Sequence, residues 1–203
     1  MIVEGVLTTL NDNGHSNIAA MGATIDRSTI GPDGLWTFFQ LRPFEGSRTF
    51  HNLSARPFGV FHLLDNAELL ARAALSEAEN ACLEPAEFID GHILSDSVRA
   101  YEFQLHQADW TLPRATLKAK VVKTHKLREW TGWNRAQHAV LELTIMATRV
   151  AWISREQFLL QIESLQPLIQ KTAGENEQAG WNYVLEYLEK YWSQAVSGGH
   201  SVK

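Results

Sequence analysis

The chain has 203 residues, of which 45% are hydrophobic, and its formal net charge is -5. A chain of this size can bury a substantial core without disulfides, and its acidic balance lacks the basic field that duplex nucleic acid requires. Its single cysteine, Cys82, cannot form an internal disulfide, and no Cys or His spacing is typical of a zinc site. No basic leader precedes an apolar run, and no stretch approaches the roughly 20 apolar residues of a membrane span. We therefore predict a cytoplasmic globular protein that binds neither metal, nucleic acid nor membrane.

The first third of the sequence predicts an antiparallel barrel built from short strands and tight turns. Residues 2–10 and 17–25 form two predicted strands. They are joined by Asn11-Asp12-Asn13-Gly14, in which Asn-Gly accepts the positive φ angles of a hairpin turn. The aromatic and β-branched run 35–41 predicts a third strand, and the alternation over 58–64 predicts a fourth.

The middle of the sequence adds a helix and two further strands. The alanine-rich and leucine-rich stretch 67–81 predicts a helix, whereas residues 82–100 show no regular pattern. Strands are predicted over 101–107 and 115–125, where they would close the barrel. The fold class is therefore α+β, with an antiparallel barrel domain over residues 1–126.

The last third of the sequence carries helix-start signals. Two capping-box pairs, Asn134 with Gln137 and Ser154 with Gln157, predict the first turns of two helices. Pro167 is expected to kink or interrupt the second helix, because proline removes a backbone donor.

These helices are predicted to extend to about residues 152 and 174. A third helix carries an apolar face over residues 181–192. We expect residues 127–197 to form a helical C-terminal subdomain packed on the barrel, followed by a mobile tail over 198–203.

The segment from Arg42 to Leu53 is the first candidate for ligand binding, because it joins a strand to a predicted helix start. A helix start presents unpaired backbone N–H groups and a partial positive charge, so anions bind there readily. The hydroxyls of Ser47 and Thr49, the guanidinium of Arg48 and the amide of Asn52 would complete a phosphate site. In the alternative interpretation, Ser47 only caps the helix and Arg48 faces water.

A polar stripe on the helix that starts at Asn134 is the second candidate. Arg135, His138, Glu142 and Arg149 fall within an arc of about 60° at 100° per residue, and the rest of the helix surface is largely apolar. A helix of this kind is expected to be buried, so that the stripe faces a partner or a cavity. Two interpretations remain open: an internal network of these charges, or one wall of a ligand pocket in which His138 exchanges a proton.

Several motifs in this order resemble a known superfamily. The segment 47–53, followed by Phe-Gly-Val-Phe-His-Leu at 58–63, resembles the flavin reductase-like split β-barrels. The segment 17–22 resembles the strand on which that superfamily seats the flavin ring. More closely, the chain resembles a family of FMN-binding split-barrel proteins found largely in archaea and in some bacteria such as planctomycetes. The segments shared with that family span both halves of the chain: 2–5, 42–44, 47–49, 133–142 and 147–149.

The resemblance implies an α+β flavoprotein that binds FMN near a homodimer interface. The phosphate would lie on the segment 47–52 and the ring against the strand 17–22. The implied cofactor-binding residues are Asn17, Ala19, Met21, Arg42, Ser47, Arg48, Thr49 and Asn52. The helical stripe adds Arg135 as a cofactor-binding residue and His138 as the candidate for proton transfer. Trp133 and Gln137 stand where relatives are expected to carry phenylalanine and lysine.

The resemblance does not name a reaction. We expect an oxidoreductase that moves hydride or electrons through FMN to an unknown small substrate, because cofactor chemistry of this kind needs few protein catalytic groups. The alternatives are a flavin or deazaflavin carrier without turnover, and an interaction protein that has lost its ligand.

Overall fold

The computed structural model describes residues 1–78 and 80–197, and the predicted tail lies outside this part of the chain. The backbone divides into two compact units. The first unit comprises residues 1–64 and 78–130, and the second comprises residues 65–77 and 131 onward.

The first unit holds the strands and one helix. The strands are β1 Ile2–Leu10, β2 Ser16–Thr24, β3 Phe38–Leu41, β4 Phe58–Leu63, β5 Leu83–Pro85, β6 His92–Leu94, β7 Arg99–Asp109 and β8 Thr116–Lys126. The helix is α1, Arg48–Ala55, and a 3₁₀ turn spans Arg27–Thr29. Six antiparallel strands close a barrel in the order β1-β2-β3-β8-β7-β4, which confirms the predicted barrel.

The barrel encloses an aromatic core. The side chains of Phe39, Phe61, Tyr101 and Phe103 are buried inside it, and the ring of Trp36 stacks on Tyr101 with centroids 4.6 Å apart. Large aromatic rings contribute much of the apolar area that stabilises a core of this kind. Trp36 forms an isolated bridge with Ile30, so β3 begins two residues beyond it rather than at residue 35.

The barrel is closed between β2 and β3 by one residue pair, and we call the gap between these strands before that pair the open seam. β1 and β2 pair along their whole length, from Ile2 opposite Thr24 to Leu10 opposite Ser16. On its other side, β2 pairs with β3 only where Thr24 lies opposite Gln40. The edge of β2 before Thr24 therefore has no strand partner there among the described residues, and its backbone N–H and C=O groups remain available for other contacts.

The segment 82–100, predicted to be irregular, contains β5, β6 and the start of β7. The loop between β5 and β6 is held by Glu102, which is fully buried. Its carboxylate accepts the backbone N–H groups of Glu87, Phe88 and Ile89 at 2.9, 2.8 and 3.0 Å. It also lies 2.7 Å from Nε2 of His125. These donors offset the hydration that the buried carboxylate loses.

The second unit is helical. Its helices are α2 Ala67–Ala74, α3 Arg135–Ala147, α4 Arg155–Thr172 and α5 Glu175–Ser197. Their shared core includes Ala71, Leu143, Phe158, Trp181 and Leu188. None of the described helices is long and apolar enough to cross a bilayer.

Helix α2 packs with the C-terminal helices, and it is shorter than predicted. It ends at Ala74, and the chain turns at Ser76, whose φ is 64°. Gly180 of α5 allows the close approach to α2, because a Cβ atom at that position would lie 3.0 Å from the Glu68 backbone. The periodicity of the sequence does not predict that α2 and α5 contact each other.

The two predicted capping boxes differ in the structure. Ser154 and Gln157 form the reciprocal pair, which confirms that prediction. Asn134 caps α3 by accepting from the N–H groups of Ala136 and Gln137, but the Gln137 side chain does not bond back. Its Nε2 instead donates to the backbone oxygen of Asp65 and to Glu177 Oε1. The capping-box prediction at Asn134 is therefore wrong, because a tertiary contact engages Gln137.

The helix ends also differ from the predictions. Helix α3 ends at Ala147 rather than near residue 152, and residues 148–152 form turns. Helix α4 runs without a break through Pro167, so the proline does not interrupt it.

Candidate functional site

The start of α1 is built by a glycine turn and a serine cap. After β3 the chain turns at Gly46, whose φ is 75°, a conformation that favours glycine. The Ser47 hydroxyl accepts from the Phe50 N–H at 3.2 Å and donates to the Phe44 oxygen at 2.8 Å. This side chain therefore shapes the turn, and the N–H groups of Arg48 and Thr49 lie in the first helical turn, where no intrahelical partner exists.

A network of amides and hydroxyls ties this helix start to the first hairpin. The Asn17 amide donates to Thr49 Oγ1 at 3.2 Å and to Thr9 Oγ1 at 3.4 Å. The Asn52 amide donates to Thr9 Oγ1 and to Asn11 Oδ1, both at 3.0 Å. Three predicted site residues, Asn17, Thr49 and Asn52, are thus brought together around Thr9.

This network determines which hydrogen-bonding groups remain available to a ligand. Thr49 accepts from Asn17, so its own hydroxyl proton remains a donor. The amide protons of Asn52 have protein acceptors, and we therefore assign Asn52 a positioning role. Thr9 and Asn11 were not predicted as site residues, because one lies within a strand and the other within a turn signal.

The predicted ring-binding residues lie on β2 beside the open seam. Asn17, Ala19 and Met21 alternate along the strand, so they share one face, and all three are half-buried. Across the hairpin Leu7 lies opposite Ala19 and Gly5 opposite Met21. Met21 also packs against the buried core that contains Leu7, and the free edge of β2 offers backbone donors and acceptors beside this face.

Arginines surround the turn before α1. Arg42 and Arg48 are exposed, and neither forms an ion pair among the described residues. At the other end of α1, Arg56 is paired with Asp12 at 3.2 Å. Arg114 lies over the ring of Phe44, with its guanidinium carbon 3.6 Å from the ring centroid. The helix start therefore combines backbone donors with positive charge, the combination that an anion requires.

The second candidate, the polar stripe, belongs to the helical unit and is exposed. Arg135 and Arg149 are exposed, and His138 Nδ1 lies 3.9 Å from Glu142 Oε1. The side chains of His138 and Glu142 are 61% and 44% exposed, so this contact is a surface pair. The expectation of a buried α3 is wrong, because α3 buries one face against its own unit and leaves the stripe outside.

Gln137 does not contribute to an anion site in the arrangement observed. Its side chain is bonded to Asp65 and Glu177 within the helical unit. Trp133, the other departure from the expected family pattern, is fully exposed at 102% relative accessibility.

The fold and the open seam together define an antiparallel split β-barrel with a helical C-terminal part. Solved structures with this fold include an FMN-bound protein from Methanosarcina mazei, with 20% identity, a TM-score of 0.77, and coverage of 92% of this chain and 94% of that one. The 2-nitrobenzoate 2-nitroreductase of Pseudomonas fluorescens matches with 20% identity, a TM-score of 0.51, and coverage of 61% and 64%. The flavoredoxin of Desulfovibrio vulgaris matches with 14% identity, a TM-score of 0.51, and coverage of 62% and 69%.

The chain belongs to the DUF447 family. The description "Protein of unknown function (DUF447) N-terminal domain" matches residues 3–128, and "Protein of unknown function (DUF447)" matches residues 134–186. The Methanosarcina mazei protein is of the same family. No functionally curated protein matches the chain significantly in sequence. The family resemblance stated from the sequence motifs is confirmed.

Proposed function

We propose that this chain binds FMN, with the phosphate at the start of α1 and the flavin ring against β2. The observation that carries the proposal is the network of Asn17, Thr49 and Asn52, which joins an unpaired helix start to the strand beside the open seam. FMN consists of a phosphate and a flat ring joined by a short chain, so the phosphate would lie at the start of α1 and the ring along β2. The FMN bound to the Methanosarcina mazei relative supports the proposal.

Each residue has a distinct proposed role. Arg48, the Thr49 hydroxyl and the first N–H groups of α1 contact the phosphate, while Ser47 and Asn52 hold them in place. Arg42 adds positive charge beside the turn. Asn17, Ala19 and Met21 line the ring.

Two residues of the helical unit remain predictions from the sequence. Arg135 is predicted to interact with the cofactor, and His138 is the candidate for proton transfer. Both side chains are exposed, which such roles require. The cofactor itself supplies the capacity to accept and release hydride or single electrons.

We further propose that the protein is an oxidoreductase and a homodimer. The oxidoreductase proposal is supported by the similar fold of the Pseudomonas fluorescens nitroreductase.

The homodimer proposal is supported by large apolar side chains that are left exposed, because such side chains favour subunit contacts. Trp133 is 102% exposed and Trp152 is 82% exposed. Light scattering on the purified protein should give twice the mass of the chain, and the mass of a single chain would remove the dimer.

The phosphate assignment is tested by Arg48→Ala. Loss of a charge-assisted contact should weaken FMN binding by about 1.5–3 kcal/mol, measured by fluorescence titration. Arg56→Ala is the matched control, because Arg56 lies at the other end of the same helix and pairs with Asp12. Equal FMN affinity in Arg48→Ala and Arg56→Ala would contradict the assignment.

Turnover is tested separately. Anaerobic mixing of the FMN-loaded protein with NADH or NADPH should bleach the flavin absorbance in an oxidoreductase. An unchanged spectrum with both reductants would favour the alternative, a flavin carrier.

A further inference from the structure

The tip of the β7–β8 hairpin, residues 110–115, contacts the turn that precedes α1. The backbone N–H of Glu45 donates to the Pro113 oxygen at 3.1 Å. Phe44 and Arg114 form an isolated antiparallel bridge, and the guanidinium carbon of Arg114 lies 3.6 Å from the centroid of the Phe44 ring. One end of the turn is therefore fixed by this bridge, of which the Glu45–Pro113 bond is a part, and by a cation–π contact.

The other end of the turn meets the same hairpin. The rings of Phe50 and Trp110 pack edge to face, with centroids 5.0 Å apart and an interplanar angle of 77°. Phe50 is also the residue whose N–H is capped by Ser47. The hairpin tip thus holds both the approach to the helix start and its first turn.

The other contacts within the turn come from Ser47, whose backbone N–H and hydroxyl both donate to the Phe44 oxygen, at 3.2 and 2.8 Å. Gly46, at its centre, has a φ of 75°, and a Cβ atom added there would meet no atom within 4 Å. A glycine in open space gains much freedom when its neighbours are released. A ligand that binds a mobile turn must first order it, which lowers the affinity.

We propose that the hairpin tip is a positioning element for FMN binding, with Arg114 as its principal positioning residue. Arg114 stacks on Phe44 and fixes the turn before the ligand arrives, so that the N–H groups at the start of α1 already point at the phosphate position. This inference rests on the proposed function. Nothing in it requires that Arg114 itself touch the ligand.

Comparison of FMN with riboflavin, which lacks the phosphate, separates this role from a general structural one. Disordering of the turn should weaken FMN binding and leave riboflavin binding unchanged. A loss of barrel stability would weaken both. The affinities are measured by fluorescence titration on the full chain.

Four variants are needed. Arg114→Ala and Phe44→Ala should each weaken FMN binding by roughly two- to fivefold, the range expected for an exposed cation–π contact. The double variant should show no further loss, since both changes remove the same contact. Lys118→Ala is the control, because Lys118 also lies over an aromatic ring, that of Phe38 at 5.1 Å, but on β8 away from the turn.

The outcomes distinguish the inference from the proposed function. If the wild-type protein binds riboflavin as tightly as FMN, the phosphate site itself is wrong. If the wild-type protein prefers FMN and Phe44→Ala retains full affinity while Arg114→Ala loses it, Arg114 contacts the ligand directly and the positioning role is overturned. Equal losses for FMN and riboflavin, or unchanged FMN affinity in both variants, would also overturn it.

Discussion

His62 shows how burial controls the chemistry of a single side chain. It is fully buried on β4, its Nδ1 lies 3.1 Å from the Val6 oxygen, and its Nε2 accepts from the Leu94 N–H at 3.0 Å. The pKa of His62 is lowered from 6.5 to about 3, chiefly because burial penalises the imidazolium. The hydrogen bond to the Val6 oxygen acts in the opposite direction, and the nearby His125 acts in the same direction as burial. The neutral ring therefore links three strands of the first unit.

This pKa shift predicts a pH-dependent stability. Below pH 6.5 the unfolded chain binds a proton at His62 that the folded chain binds only near pH 3, so the stability falls as the pH falls through this window. Between pH 7.5 and pH 5.5 the loss from His62 should be about 1.4 kcal/mol. This loss is checked by measuring the free energy of urea unfolding at pH 7.5 and at pH 5.5, for the wild type and for His62→Gln. Identical pH dependence in the two proteins would contradict the assignment.

The candidate site could be predicted from sequence only where its signals are local. The glycine turn, Ser47 and the helix start lie within a few residues of each other, so their geometry follows from turn and capping rules. The roles of Thr9 and Asn11 depend on contacts with Asn52, 43 and 41 residues away in sequence. No periodicity or turn rule reports such pairs.

Among the structural elements, the β5–β6 hairpin has a loop that is held by one buried carboxylate, that of Glu102. Its strands have three residues each, too few to show an alternating pattern, which explains why the segment was predicted to be irregular. The loop between them is held by three backbone bonds to Glu102 of β7. Its structure is therefore set by a distant strand.

Glu102→Gln should release this loop. The amide nitrogen of glutamine cannot accept a hydrogen bond, so at least one of the N–H groups of Glu87, Phe88 and Ile89 loses its partner, at a cost of about 1–3 kcal/mol. Urea unfolding should show the loss, and hydrogen exchange should accelerate at these three amides. Glu129→Gln, at an exposed position, is the control. Unchanged protection of the loop amides would show that Glu102 does not hold it.

The exposure of the stripe on α3 differs from the prediction because the apolar positions of this helix are not all buried. The apolar positions predicted that most of the helix is buried, but several of them, including Leu141 and Ile145, are only half-buried. A largely apolar helix can be partly exposed in a single chain when some of its apolar side chains contact another subunit. This is consistent with the proposed dimer.

For the whole molecule, the barrel followed by helices was predictable because strand alternation, turn signals and capping residues all pointed to the same architecture. The sequence does not predict that α2 belongs to the helical unit, because this depends on the close approach of Gly180 to Glu68. The open seam could not be predicted either, because the pattern of one strand does not show how many of its residues pair with the neighbouring strand.

The claim that the start of α1 and the edge of β2 form one FMN site is tested most directly by a crystal structure of the protein grown with FMN. We expect the phosphate within hydrogen-bond distance of Arg48 and Thr49, and the flavin ring along Asn17, Ala19 and Met21. A phosphate bound elsewhere, or a ring that does not touch β2, would contradict the account.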